Sequence, residues 1–90
     1  MKPVALITGG TRGIGLGIAQ SLAQEGYDLA LNGMRSREQV EAVLESLKNK
    51  NNKVIYCQGN IRLAEDRTRI IEEIKTQLGS LNVLVNNAGI

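Results

Sequence analysis

The chain has 90 residues, enough for one small domain with a limited core. Its 11 lysine and arginine residues and 9 aspartate and glutamate residues leave a formal net charge of +2, with no basic block of the kind that binds nucleic acid or a membrane surface. The absence of histidine and the single cysteine, Cys57, exclude a disulfide framework, make a metal site unexpected and favour a buried packing role for that cysteine.

Four short apolar runs alternate with three amphipathic stretches along the chain. The predicted strands are Val4–Ile7, Asp28–Leu31, Val54–Cys57 and Leu81–Val85. The apolar faces of the predicted helices are Ile14, Ile18, Ala19 and Leu22, then Val40, Val43, Leu44 and Leu47, then Ile70, Ile71, Ile74 and Leu78. Gly26 and Gly79 fall where helix C-caps belong, and Ser36 to Gln39 has the spacing of a capping box. The predicted order is therefore β-α-β-α-β-α-β.

The predicted strands show no polar alternation and are joined by helices. This pattern predicts a parallel sheet that is covered by helices on both faces. We therefore predict an α/β fold that forms the front half of a doubly wound sheet, with residues 1–90 in a single domain. Only Asn86 to Ile90 follows the fourth strand, so we expect that strand to lie at an edge of the sheet.

Glycines are concentrated between the first strand and the first helix. A phosphate-binding turn at that place needs backbone N–H groups, no Cβ in the way and the positive end of a helix dipole. Gly9, Gly10, Gly13 and Gly15 meet these needs, although their spacing is Gly-x3-Gly-x-Gly and not the usual Gly-x-Gly-x-x-Gly. Tight turn geometry alone would also use glycines, but the order of elements favours a Rossmann-type dinucleotide-binding segment.

Two arginines indicate which dinucleotide this segment binds. An acidic residue at the end of the second strand usually binds a bare ribose 2′-OH, whereas an arginine accommodates a 2′-phosphate. The segment Asn32 to Ser36 contains Arg35 and no carboxylate, and Arg12 lies among the glycines. Each arginine alone fits a solvated surface side chain equally well, but together they are suited to one dianionic phosphate. The pair predicts NADP(H) as the cofactor, with NAD(H) less favoured.

Two motifs resemble those of the short-chain dehydrogenase/reductase family. Thr8 to Gly15 follows the pattern Thr-Gly-x3-Gly-x-Gly, and Asn86 to Gly89 reads Asn-Asn-Ala-Gly. The resemblance covers the whole chain but only the first part of a family member, which typically has about 250 residues. Within the family, the motifs look closest to 3-oxoacyl-[acyl-carrier-protein] reductases.

The resemblance implies that several residues of the glycine segment contact the cofactor. They are Gly9, Thr11, Arg12, Gly13, Ile14 and Gly15. The glycines would shape the turn under the pyrophosphate, Thr11 and Arg12 would face the adenosine ribose, and Ile14 would lend backbone to the nicotinamide side.

The resemblance also implies cofactor contacts after the third and fourth strands. At the position where the family often has an acidic residue for the adenine amino group, this chain has Asn60, followed by Ile61. That is a departure, although an amide oxygen also accepts from an amino group. Asn87, Ala88 and Gly89 would lie along the cofactor, where glycine permits close approach.

No catalytic residue is expected in this span, because the family's Ser and Tyr-x3-Lys lie beyond the fourth strand. Tyr27 and Tyr56 lack a lysine four residues later and are predicted strand residues. By resemblance, the intact enzyme transfers hydride between NADP(H) and a carbonyl or alcohol substrate, either a small molecule or one bound to an acyl carrier, and forms a homo-oligomer. A non-catalytic NADP(H)-binding sensor is the alternative, while the missing acid after the second strand disfavours a methyltransferase-type domain.

We expect a cytoplasmic protein without nucleic-acid or membrane partners. The N-terminal apolar run, Val4–Ile7, is shorter than the apolar region of a signal peptide. No stretch approaches membrane-spanning length.

Overall fold

The structure, a computed structural model, describes residues 2–87. The predicted cofactor contacts Ala88 and Gly89 lie outside the described residues. Seven elements follow in the predicted order: β1 Val4–Thr8, α1 Gly13–Gln24, β2 Asp28–Gly33, α2 Arg37–Leu47, β3 Val54–Gln58, α3 Ala64–Leu78 and β4 Val83–Val85. No helix within residues 2–87 is both long enough and apolar enough to cross a membrane.

The four strands form one parallel sheet in the order β3-β2-β1-β4. In the central strand β1, Val4 lies opposite Asp28 of β2, and Ala5 lies opposite Val83 of β4 on the other side. Along the chain, β2 and then β3 are added on one side of β1, and β4 is added on the other side of β1. The order of strands therefore reverses between β1 and β4, as in the front half of a Rossmann-type fold, and β4 lies at the predicted edge.

Helices cover both faces of this sheet. One core cluster joins α1 and α2 to residues such as Ile7 and Leu31, and a second joins α3 to residues such as Leu6 and Ala30. Neighbouring residues of β1 and β2 thus enter opposite cores, which explains why these strands carry apolar residues without alternation. Cys57 is fully buried in the second cluster, so its predicted packing role is confirmed.

The core-facing side of α1 differs from the prediction. Ile14 was expected on that side but is 72% exposed. The residues that face the first cluster are Gly15, Leu16, Ala19, Leu22 and Ala23. The rotation of the helix explains the difference, because Gly15 lies against the backbone of Gly9. Successive helical residues point about 100° apart, so Ile14 is directed away from that contact.

The helix ends follow the sequence signals. Gly26 and Gly79 adopt left-handed backbone angles, with φ of +90° and +88°, at the ends of α1 and α3. At the start of α2, the Gln39 side-chain oxygen accepts a hydrogen bond from the Ser36 N–H at 3.0 Å, which is the capping-box contact on the glutamine side.

Strand β4 begins two residues later than predicted. The Asn82 side chain accepts a hydrogen bond from the Val4 N–H at 2.8 Å, in the place of a strand carbonyl. Regular pairing with β1 therefore starts at Val83. Leu81 packs partly buried against the second cluster, and Leu84 is 60% exposed at the sheet edge.

Candidate cofactor-binding site

A cleft of about 800 Å³ opens at the carboxyl ends of the strands. Its walls are formed by the glycine turn after β1, the loops after β2 and β3, and the end of β4. The structure places six predicted site residues on these walls: Gly9, Thr11, Arg12, Arg35, Asn60 and Ile61. Ligands of open α/β sheets bind in this position, outside the strand ends where the strand order reverses.

The turn after β1 depends on glycine in two physical ways. Gly9 and Gly13 have φ of +64° and +60°, in the left-handed region that strains other residues. Gly15 has no such angle, but a Cβ there would collide with the Gly9 carbonyl oxygen and lie 2.6 Å from the Asn87 side-chain nitrogen. The turn therefore lies against the first turn of α1 with no room for a side chain at position 15.

The N-terminus of α1 follows this turn directly. Its N-cap residue, Arg12, makes no side-chain capping bond, and the first turn contains no acidic residue. By contrast, the first turn of α2 contains Glu38 and that of α3 contains Glu65 and Asp66. The positive end of the α1 dipole thus has no carboxylate of its own helix beside it, an arrangement suited to a phosphate. The exposed Ile14 belongs to the same turn.

The end of β4 is tied to the glycine turn. The Asn87 side chain donates to the Gly9 carbonyl at 3.2 Å, and its N–H donates to the Thr8 hydroxyl oxygen at 2.9 Å. The Thr8 hydroxyl in turn donates to the Val85 carbonyl at 3.3 Å. Asn87 therefore fixes the turn from across the strand-order reversal. Sequence reasoning missed Thr8 in this role, because its partners are more than 70 residues away in the chain.

The cleft is rich in positive charge. Four arginines line it: Arg12, Arg35, Arg62 and Arg67. Among the lining residues that the structure describes, none is acidic. Arg35 donates to the Thr11 carbonyl at 3.0 Å, which holds its guanidinium beside the glycine turn. Arg62 and Arg67 were not predicted as site residues, because in a sequence an arginine near the start of a helix looks like any solvent-exposed arginine.

The Asn60 loop is held by α3. The Asn60 N–H donates to Asp66 at 2.7 Å, and the Asn60 side-chain oxygen accepts from the Arg62 N–H at 3.0 Å. An amide oxygen accepts two hydrogen bonds, so this one retains capacity for an adenine amino group. Arg67 donates to the Ile61 carbonyl at 3.0 Å. The predicted adenine-side pair is therefore on the wall of the cleft in a well-bonded loop.

Two buried polar residues connect the strand ends beneath the cleft. The Asn32 side chain donates to the Cys57 carbonyl at 2.9 Å and to the Gly59 carbonyl at 3.1 Å. The Tyr56 hydroxyl donates to the Arg35 carbonyl at 2.6 Å. Burial raises the pKa of Tyr56, against the opposing charge of Arg35, so this hydroxyl stays protonated as a donor. In the sequence, the only sign of this role is that Tyr56 stands in an apolar strand, where a buried hydroxyl needs a hydrogen-bond partner. The identity of that partner is not visible in the sequence.

The strand order, the glycine turn at a helix N-terminus and the cleft at the strand-order reversal define a Rossmann-type nucleotide-binding protein. Residues 3–90 match the family model of the short chain dehydrogenases. The chain belongs to this family, as the motifs predicted.

Several members of the family are similar to this chain over its whole length. It is 48% identical over 90 residues to the 3-oxoacyl-[acyl-carrier-protein] reductase FabG of Staphylococcus aureus, covering 100% of this chain and 37% of that protein. A 3-oxoacyl-[acyl-carrier protein] reductase from Brucella melitensis in complex with NAD has a TM-score of 0.89 and 39% identity, over 100% of this chain and 34% of that one. The L-sorbose reductase of Gluconobacter frateurii, complexed with NADPH and L-sorbose, has a TM-score of 0.88 and 33% identity, over 99% and 34%. The chain thus spans little more than a third of these proteins.

Proposed function

We propose that the protein is an NADP(H)-dependent oxidoreductase and that this chain is its cofactor-binding segment. The observation that carries the proposal is the set of arginines on the cleft, with no carboxylate among its described lining residues. A phosphate monoester has a charge of roughly −1.5 to −2 at neutral pH, so the extra 2′-phosphate of NADP(H) suits this wall better than the uncharged 2′-OH of NAD(H).

The residues present fit a dinucleotide. Gly9 and Gly13 have no Cβ to obstruct the approach of a pyrophosphate to the N-terminus of α1, and Gly15 lets the turn pack closely on that helix. Arg12 and Arg35 would bind the 2′-phosphate, and Asn60 would accept from the adenine amino group. We assign Asn87 to the path of the cofactor toward the nicotinamide.

Further predicted contacts extend the same path. Thr11 would face the adenosine ribose, and Ile14 and Ile61 would contribute backbone groups. Ala88 and Gly89 would continue along the cofactor past Asn87. When bound, the cofactor supplies or accepts the hydride, while the residues of this chain bind and orient it.

The substrate of the whole protein is proposed to be a carbonyl or alcohol compound, either small or bound to an acyl carrier protein. The similarity to 3-oxoacyl-[acyl-carrier-protein] reductases supports the acyl-carrier form. The names of these relatives also favour an enzyme over a non-catalytic sensor. We place the catalytic Ser and Tyr-x3-Lys outside these 90 residues, and we propose a cytoplasmic homo-oligomer.

The test is a parallel fluorescence titration of the purified protein with NADPH and NADH. We expect NADPH to bind at least tenfold more tightly, and Arg35→Ala to weaken NADPH about tenfold or more, the effect of losing a hydrogen bond to a charged group. Arg37→Ala is the matched control, because Arg37 is exposed on α2, pairs with Glu41 and is not a lining residue. Equal affinities in the wild type would overturn the NADP(H) assignment.

A second assay tests the substrate. NADPH oxidation by the whole protein, including the part in which we place the catalytic Ser, Tyr and Lys, is followed with a 3-oxoacyl thioester of acyl carrier protein. Turnover would support the reductase. Tight NADPH binding without turnover on this thioester or on small ketones would favour the sensor.

A further inference from the structure

The loop that carries Arg35, residues 34–36 between β2 and α2, rests on a tyrosine of the neighbouring strand. The Tyr56 hydroxyl donates to the Arg35 carbonyl at 2.6 Å, although Tyr56 itself is only 6% exposed. The hydroxyl also lies under Gly33, where an added Cβ would be 3.2 Å from it. The bond therefore joins a buried strand residue to the backbone of an otherwise solvent-facing loop.

The guanidinium of Arg35 is fixed separately from its backbone. Its guanidinium donates to the carbonyl of the buried Thr11 at 3.0 Å. A guanidinium has five N–H donors in a planar fork, so one bond to Thr11 leaves donors for a phosphate in the cleft. A residue held at both its backbone and its guanidinium loses less freedom when it binds a ligand, and preorganisation of this kind increases affinity.

We infer that Tyr56 is a positioning residue for Arg35 and that it thereby contributes to selectivity for the cofactor's 2′-phosphate. This inference rests on the proposed NADP(H) function. Tyr56 is not among the described residues that line the cleft, so it acts through the Arg35 loop and not by contact with the cofactor. NADH has no 2′-phosphate, so its affinity does not depend on the position of Arg35.

A second hydrogen bond to the same loop limits the loss of NADPH affinity expected when the Tyr56 hydroxyl is removed. Gln58 makes a second bond from β3 to the same loop, with its side chain 3.4 Å from the Met34 carbonyl. The loop thus keeps one tie when the tyrosine hydroxyl is removed. We expect Tyr56→Phe to weaken NADPH about fivefold, the loss that corresponds to one ordinary neutral hydrogen bond, and to change NADH less than twofold.

The experiment measures dissociation constants for NADPH and NADH in the wild type, Tyr56→Phe and Tyr27→Phe. Tyr27→Phe is the matched control, because Tyr27 packs on the first cluster just before β2, at the opposite end of that strand. It removes the same atom and is expected to leave both constants unchanged. If Tyr56→Phe does not fold, Tyr56→Met is used, since it keeps a large apolar side chain without the hydroxyl.

The Arg35→Ala background separates positioning from general destabilisation. Once Arg35 is removed, Tyr56→Phe should have no further effect on NADPH, because the residue acts through Arg35. An unchanged NADPH to NADH ratio in Tyr56→Phe, or an equal loss for both cofactors, overturns the inference while the proposed function stands. Equal affinities already in the wild type instead overturn the proposed cofactor, and the inference with it.

Discussion

The first turn of α1 offers a test in which one methyl group has opposite effects at two positions of the same helix. A Cβ at position 15 would collide with the Gly9 carbonyl oxygen and lie 2.6 Å from the Asn87 side-chain nitrogen. At Gly17, two residues further on, an added Cβ has no neighbour within 4 Å. Gly15→Ala and Gly17→Ala therefore share the same gain in helix propensity and differ in what the methyl group meets.

The magnitudes follow from these contacts. Replacing glycine by alanine inside a helix stabilises it by about 1 kcal/mol, and at Gly17 nothing opposes this gain. At Gly15, overpacking costs about 1–3 kcal/mol. Displacing Asn87 from the Gly9 carbonyl, a bond of 3.2 Å, costs about 1 kcal/mol more. We expect Gly15→Ala to lower the free energy of unfolding by about 1–3 kcal/mol and Gly17→Ala to raise it by roughly 0.5–1 kcal/mol.

The assay is urea unfolding of the purified protein with both variants, followed by circular dichroism and fitted with a common slope. NADPH titration accompanies it, because a displaced Gly9 also moves the backbone under the pyrophosphate. A Gly15→Ala variant as stable as the wild type, or a change of stability in the same direction in both variants, would show that the contacts at position 15 do not limit the residue there.

Two further predictions concern buried groups. Asn32→Leu removes the donor for the Cys57 and Gly59 carbonyls, so we expect a loss of about 1–3 kcal/mol in urea unfolding; wild-type stability would show that these bonds contribute nothing. Burial, aided by the nearby charge of Glu73, raises the pKa of Cys57 from 9.0 to about 12. Because the folded pKa is the higher one, this thiol's contribution to stability is fully present below pH 9 and is lost as the pH rises toward 12. Cys57→Ala should flatten that alkaline loss, and rapid alkylation of the native thiol at pH 8 would contradict the burial.

The order of elements was predictable because its signals are local. Apolar runs, helical spacing and cap glycines act within a few residues, and all seven elements formed in the predicted order, with β4 starting two residues late. The face of α1 was not predictable in the same way. The position of Ile14 depends on how the helix rotates to bring Gly15 against Gly9, a tertiary contact that periodicity does not encode.

The candidate site was also predictable only in part. The glycine turn and the arginines at positions 12 and 35 were visible as motifs, and the structure places them on one cleft. The residues that hold the cleft together were not visible, since Thr8, Asn32 and Tyr56 bond to partners 21 to 79 residues away. In sequence they are a threonine, an asparagine and a tyrosine within ordinary strands.

The cleft is proposed to bind NADP(H) with its 2′-phosphate between Arg12 and Arg35. The most direct measurement is a crystal structure of the protein with NADPH. The expected result is a 2′-phosphate within hydrogen-bonding distance of both guanidinium groups and a pyrophosphate over the glycine turn at the N-terminus of α1. A 2′-phosphate pointing into solvent, with both arginines directed elsewhere, would contradict it.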